Sequence, residues 1–180
     1  MNLFKPRWAF ALFVLFAQSA NAIIIEYDLT PLGGSSYRYD YTVVNSGSLG
    51  SGVSLELFDV LFDPSLYDET SLSIATPAPL ANDWDEYFLG SGIALPAAYE
   101  AFALAGGIAD GATVSGFAVE FTWLGAGLPG RQDFEVYDPN TFDLLAVGST
   151  RSPESAVPLA APLLLILFGM GLIRVQARAN

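Results

Sequence analysis

Residues 23–150 predict an all-β fold, an antiparallel β-sandwich. Three observations carry that expectation. Residues 37–43 (YRYDYTV) alternate between aromatic or apolar and polar side chains, the period of a half-buried strand. Residues 113–123 (TVSGFAVEFTW) alternate over a longer run. Short segments of this kind recur at close spacing, separated by Gly, Pro, Asn and Asp clusters that turn the chain.

From Ile23 onward the chain reads as strands and turns. In the first alternating segment Tyr37, Tyr39, Tyr41 and Val43 share one face; Arg38, Asp40 and Thr42 share the other. The tyrosine face is expected in the core, its competing use being a stacking face for a ligand on an exposed sheet. Residues 45–52 (NSGSLGSG) form a turn cluster. Residues 53–62 predict a second strand, apolar on both faces apart from Ser54, Glu56 and Asp59, and stopped by Asp63-Pro64-Ser65. Thr76-Pro77-Ala78-Pro79 is a break. Residues 95–104 read equally as a short helix or a strand-like connection. In the long strand Ser115, Phe117, Val119, Phe121 and Trp123 point one way, and Val114, Gly116, Ala118, Glu120 and Thr122 the other. Residues 125–130 (GAGLPG) are a loop. Residues 133–137 and 142–147 then form a hairpin around Asp138-Pro139-Asn140.

The two ends differ from this middle and inflate the chain's 52% hydrophobic share. Residues 1–22 read as a signal peptide. Lys5 and Arg7 supply the positive start, residues 8–17 an apolar run too short to span a bilayer, and Ala20 and Ala22 a signal-peptidase site. Residues 151–155 read as a linker and 156–180 as a tail. Within the tail, residues 156–173 (AVPLAAPLLLILFGMGLI) carry no charge and are long enough for a transmembrane helix. Arg174 and Arg178 follow and predict a cytoplasmic C-terminus, with the domain outside.

That layout, with Ser152-Pro153-Glu154-Ser155 and Val157-Pro158-Leu159-Ala160-Ala161-Pro162 ahead of the apolar stretch, resembles the PEP-CTERM class of sorting tails in its VPLPA-like variant. The chain has Ala160 where that variant has Pro, and Ser155 where the founding motif has its second Pro. The resemblance implies a sorting motif at Pro153, Glu154, Val157, Pro158 and Leu159, read by an exosortase-type protease. Residues 121–150 resemble the ectodomains that precede such tails. The implied partners are the secretion translocon, signal peptidase, the sorting protease, the membrane through the C-terminal helix, and extracellular polysaccharide. The implied location is the inner membrane with the ectodomain in the periplasm, and then the cell surface or the medium.

Composition narrows the chemistry. Neither Cys nor His is present, which removes thiolate chemistry, His general bases and Cys- or His-ligated metals. Residues 23–152 hold 18 Asp and Glu against three Arg, a balance of −15 that repels nucleic acid. Asp83-Trp84-Asp85-Glu86 beside Tyr87 has the ingredients of a sugar site, two carboxylates and an aromatic platform. The plainer alternative, an acidic loop with Trp84 in the core, is favoured. Asp63, Asp68, Glu69, Asp133, Asp138 and Asp143 fall near strand ends where oxygen ligands suit Ca²⁺. The favoured alternative is a solubilising surface with Asp as turn-former. Residues 125–130 lack the Lys and Ser or Thr of a phosphate loop. No cofactor or metal site is expected. The sequence therefore predicts an exported structural or interaction protein of the surface or matrix and not an enzyme. A carbohydrate-binding module, or a glycan-acting enzyme using carboxylates, is the alternative.

Overall fold

The computed structural model of the protein describes residues 23–93 and 95–153. Among the described residues nine strands form two sheets: β1 (Ile24–Gly33), β2 (Ser36–Val44), β3 (Leu57–Phe62), β4 (Ser73–Ile74), β5 (Trp84–Leu89), β6 (Ala97–Ala103), β7 (Thr113–Thr122), β8 (Asp133–Tyr137) and β9 (Leu144–Ser149). One sheet has the order β1-β2-β7-β4, the other β5-β6-β3-β8-β9, and every strand ladder is antiparallel. This is the expected all-β sandwich.

The sheets are joined by aromatic side chains. Tyr39, Tyr41, Phe117 and Phe121 from one sheet meet Phe58, Phe62 and Tyr99 from the other, all at 2% exposure or less. Phe58 and Phe117 cross edge to face at 5.2 Å, and Trp84 meets Phe117 at 5.0 Å. Edge-to-face rings set their positive rims against negative faces, which adds about 0.5–1.5 kcal/mol per pair to the burial itself.

The alternating tyrosines lie as expected: Tyr39, Tyr41 and Val43 are fully buried, and Tyr37 is half-buried against Phe121. The long strand departs from its expected pattern in one place. Gly116 stands at φ +109°, where the β2–β7 register slips between Tyr41 and Thr42. The extra residue reverses the alternation upstream of it. Val114 therefore packs against the core, while exposed Ser115 leaves Phe117's face and accepts a hydrogen bond from Thr42 at 2.9 Å.

Three further differences have local causes. The strand expected from residue 53 begins at Leu57, because residues 53–56 first bridge to Ile108 through reciprocal Leu55–Ile108 backbone bonds of 2.8 Å. Gly107, at φ +60°, admits that approach: a Cβ there would lie 2.3 Å from the Leu55 carbonyl oxygen. Residues 95–104 resolve as β6, whose alanines are buried between β3 and β5, so packing overrides the weak strand preference of Ala. The hairpin's second arm starts at Leu144 rather than Phe142. Asp138 captures the amides of Asn140 and Thr141, and Phe142 takes φ +58° to complete the turn.

At the end of the sandwich that carries the loop after β2, Asn45 is fully buried. Its amide donates to the Val53 and Ile108 carbonyls at 2.9 Å each, and its oxygen accepts from Gly47. Asn45→Ala leaves these groups short of partners inside the protein. The expected loss is about 1–3 kcal/mol, measured as a lower urea midpoint with an unchanged slope.

Candidate functional site

An open groove of about 660 Å³ lies where the chain leaves β3 and β7 and enters β6 and β8. Its wall is built from the turn upward. The Asp63 carboxylate accepts the Ser65 amide at 2.8 Å and hydroxyl at 2.7 Å, reversing the chain so that Tyr67 folds back. Those bonds hold the exposed Asp63 carboxyl below its ordinary range, so it stays ionised. The Tyr67 ring packs on Phe62, Phe121 and Trp123, the last at 5.0 Å. Trp123 is held by its amide to Ser35.

The opposite wall is tied down by the tyrosine stripe. Tyr39 donates to the Gly130 carbonyl at 2.6 Å, and Tyr41 donates to the Gln132 side-chain oxygen at 2.5 Å. Gln132 is 4% exposed, and its Nε2, like Trp123 Nε1, has no partner among the described residues. Arg131 and Asp133 stand exposed on the rim. Burial raises the Tyr39 and Tyr41 hydroxyls well above their usual range and Tyr67 to about 12, so all three remain neutral. The groove thus offers aromatic surface and charges of both signs.

A second cluster lies on the outer face of the larger sheet. Register places Tyr87, Glu100, Asp59, Glu135 and Val147 in one row across five strands. Three carboxyl groups are therefore neighbours. Tyr87 donates to Glu100 and Tyr137 donates to Glu135, leaving Asp59 and Glu100 only 7% and 8% exposed. Burial, then the negative charges of Glu100 and Glu135, push the Asp59 carboxyl up to about 7. Its Oδ1 has no hydrogen-bond partner among the described residues.

The sugar-site candidates separate. Trp84 is buried against Phe58 and Phe117, so it is core rather than platform. Asp83 is exposed, and Asp85 and Glu86 project from opposite faces of β5. Glu86 accepts from Thr76 at 2.6 Å and Tyr99 at 2.8 Å. The segment is a strand start rather than the expected loop. The calcium candidates are dispersed, each with local donors: Asp68 caps a 3-10 turn at residues 69–71, Glu69 receives Ser91, Asp133 receives Ser149, and Asp138 and Asp143 belong to the β8–β9 turn. No group of three or more carboxylates among the described residues is placed to hold a metal ion.

Of the sorting residues, Pro153 is described and exposed. Ala20, Ala22, Glu154, Val157, Pro158, Leu159, Arg174 and Arg178 lie outside the described residues, as does the expected helix at 156–173. No helix among the described residues is long and apolar enough to cross a membrane.

Sequence reasoning missed both clusters as sites. Trp123 was visible as the end of an alternating run, but its meeting with Tyr67 and Gln132 depends on contacts between distant segments. Asp59 was visible as a lone acid in the apolar run LFDVLF. Its pairing with Glu100 and Glu135 required the register of three strands.

Fold and groove together define an all-β sandwich domain with an aromatic-walled depression at one end. No family model matches the chain, and no curated protein matches it. One chain from the crystal structure of a CaDoc0917–CaCohA2 complex at pH 5.5 aligns over 72% of this chain and 99% of its own length. It is 12% identical, with a TM-score of 0.33. A similarity at that level assigns neither fold nor partner.

Asp59 makes stability depend on pH near neutrality. Its carboxyl rises from 3.8 to about 7 on folding, so between those values the folded state holds a proton that the unfolded chain releases. Stability is greatest at the acid end of that window and is lost as pH rises through about 7. The slope from this one group is at most about 1.4 kcal/mol per pH unit. The lowered carboxyls of Asp63, Glu69 and Asp138 act oppositely, and only below about 4.5, the acid end of that window. Urea denaturation from about pH 5 to about pH 8 at fixed ionic strength tests this. Asp59→Asn is expected to flatten the profile, and a wild-type stability that rises with pH across the window contradicts it.

Proposed function

We propose that the chain is an exported structural or interaction protein of the cell surface or matrix, delivered by its N-terminal signal and sorted through its C-terminal tail. The observation that carries this reading is the position of the motifs relative to the folded unit. Cleavage after Ala22 leaves Ile23, at 6% exposure, as the first residue and a core member. At the other end Arg151 is the last of the described residues bonded into the sandwich. Its amide donates to Ile25 at 3.0 Å, its carbonyl accepts from Tyr27 at 2.8 Å, and its guanidinium pairs with Glu26 at 3.0 Å. The sorting motif begins two residues later at Pro153. The two segments meant for processing therefore flank the fold without interrupting it, and both meet it at the β1 edge.

Export and sorting are tested on the mature protein in cells. N-terminal sequencing is expected to start at Ile23. Deleting residues 156–180 is expected to release the domain into the periplasm in soluble form. An intact mass that retains residues 163–180 on surface-exposed protein would overturn the sorting step while leaving simple anchoring in place.

A second reading is supported by the groove: binding of a neutral, polyhydroxylated ligand such as a polysaccharide segment. Trp123 supplies an aromatic surface, Arg131 a donor, and Asp63 and Asp133 acceptors, the mixture that sugar hydroxyls and C–H faces require. Asp133→Ala and Arg131→Ala, both at exposed positions, are expected to weaken polysaccharide retention at least tenfold without unfolding the domain (about 1.4 kcal/mol). Absence of wild-type retention on a neutral glycan array removes this reading and leaves the exported one untouched.

A further inference from the structure

The sandwich has four sheet edges: β1, β4, β5 and β9. An open edge presents unpaired N–H and C=O groups to any other strand, and proteins guard edges with charge, proline, short length or a covering segment. Three of these edges are guarded. β1 carries Glu26, Asp28 and Pro31, and Arg151 covers part of its free side. β4 is two residues long. β5 carries Asp85 and Glu86.

β9 is different. Its sequence LLAVGS has no charge, and Leu144, Leu145 and Val147 are 54%, 45% and 66% exposed. Its one irregularity, the bulge opposite Tyr137, leaves both leucines in solvent. Phe142, at 64% exposure, extends the apolar strip. The backbone direction also follows. Thr150 donates its amide to Gln132, toward β8, while Arg151 bonds away from it to β1. By the alternation of an antiparallel ladder, Gly148 and Ala146 face β8, and Val147 turns its N–H and C=O outward.

We propose that β9 is a homotypic interface, where a second copy of this chain pairs its own β9 antiparallel about a two-fold axis at Val147. The two Val147 residues exchange N–H···O=C bonds, and the five-stranded sheets join into one. Self-pairing is self-complementary, as two-fold interfaces must be. Charge selects the occupant. A copy carrying −15 is repelled at edges that bear acids, and a basic partner is drawn to those same acids rather than to an uncharged strand. At β9 the nearest acids in the shared row are Glu135 and its counterpart. Three inter-strand steps of ~4.8 Å separate their strands, about 14 Å in all. That exceeds the ~8 Å Debye length at physiological ionic strength and falls well inside the ~30 Å length at about 0.01 M salt. The pairing is therefore permitted in ordinary salt and opposed in low salt.

The chain has no cysteine, so a single introduced thiol reports the interface. Directly bonded antiparallel residues have Cα atoms about 5.5 Å apart, within disulfide range. The full chain carrying Val147→Cys is expected to form a disulfide dimer under mild oxidation at about 0.15 M salt, and at least tenfold less at about 0.01 M. Asp85→Cys, on the guarded β5 edge, serves as control. The Val147→Cys dimer is expected to persist when residues 156–180 are deleted, which separates it from association through the tail. Equal crosslinking at both positions, loss of the dimer with the tail, a dimer yield that does not rise with salt, or crosslinking only to a protein of another mass each overturn the proposal. Without any introduced thiol, Val147→Lys is expected to leave the full chain monomeric by sedimentation at about 0.15 M salt, where the wild-type chain dimerises, and an undiminished dimer fraction there also overturns it.

Discussion

Two buried hydroxyl groups govern how the sandwich closes. Tyr39 and Tyr41 sit in the middle of β2 with their rings in the core, and a phenol buried there must find a partner for its O–H. Both find it on the segment that leads into β8 of the other sheet, at the Gly130 carbonyl and the Gln132 side chain. The bonds therefore cross between sheets and fix where β8 begins. Thr150 and Gln132 are bonded in turn through Gln132 N to Thr150 Oγ1 at 2.8 Å and Thr150 N to Gln132 O at 2.7 Å, which carries the constraint to the end of β9. Arg151 then returns it to β1. A ring of contacts thus runs from β2 to β8, β9 and β1, and the groove is the space left beside it.

The parts legible in the sequence were those governed by local pattern. The tyrosine alternation, the aromatic half of β7 and the Asp138 turn each follow from side-chain period or turn chemistry within a few residues. Where the reading slipped, a single residue altered the pattern in a way only the partner strand reveals. Gly116 bulges against β2 and sends Ser115 outward, and Phe142 enters the left-handed region and delays β9 by two residues. β6 was undecided because alanines favour no strand by themselves; its assignment comes from two neighbours that bury it. The candidate sites were less legible. Asp83-Trp84-Asp85-Glu86 contained the right residue types, but a strand sends adjacent carboxylates to opposite faces. The groove and the acid row unite residues far apart in the chain, and no spacing rule connects them.

The acids have two distinct roles. Most sit at turns or edges with local donors, where Asp63, Asp68 and Asp138 each close a loop through backbone or hydroxyl hydrogen bonds. Those at edges also repel foreign strands. The row at Glu100, Asp59 and Glu135 does neither. Its members face one another across the centre of a sheet, roofed by Tyr87 and Tyr137, in an arrangement that disfavours the charged form of Asp59. In a chain with no histidine, this places a carboxyl group near neutrality, at Asp59.

The same row ends at the uncharged edge. Val147 is its terminal member, one strand beyond Glu135 and two beyond Asp59. Protonation of Asp59 lowers the negative charge of the row, and the charge nearest the edge determines how closely a like-charged copy can approach. Asp59 lies about 10 Å from the edge strand, two inter-strand steps of ~4.8 Å, so its effect on such an approach is strongest where ions are scarce and fades as the Debye length shortens. The acid row and the bare edge are therefore electrostatically connected without touching. That connection runs through register alone: moving β8 by one residue would turn Glu135 into the core and bring Val136 to the outer face. The tyrosine bonds that set the start of β8 consequently hold both the charge row and the edge strand in the arrangement described.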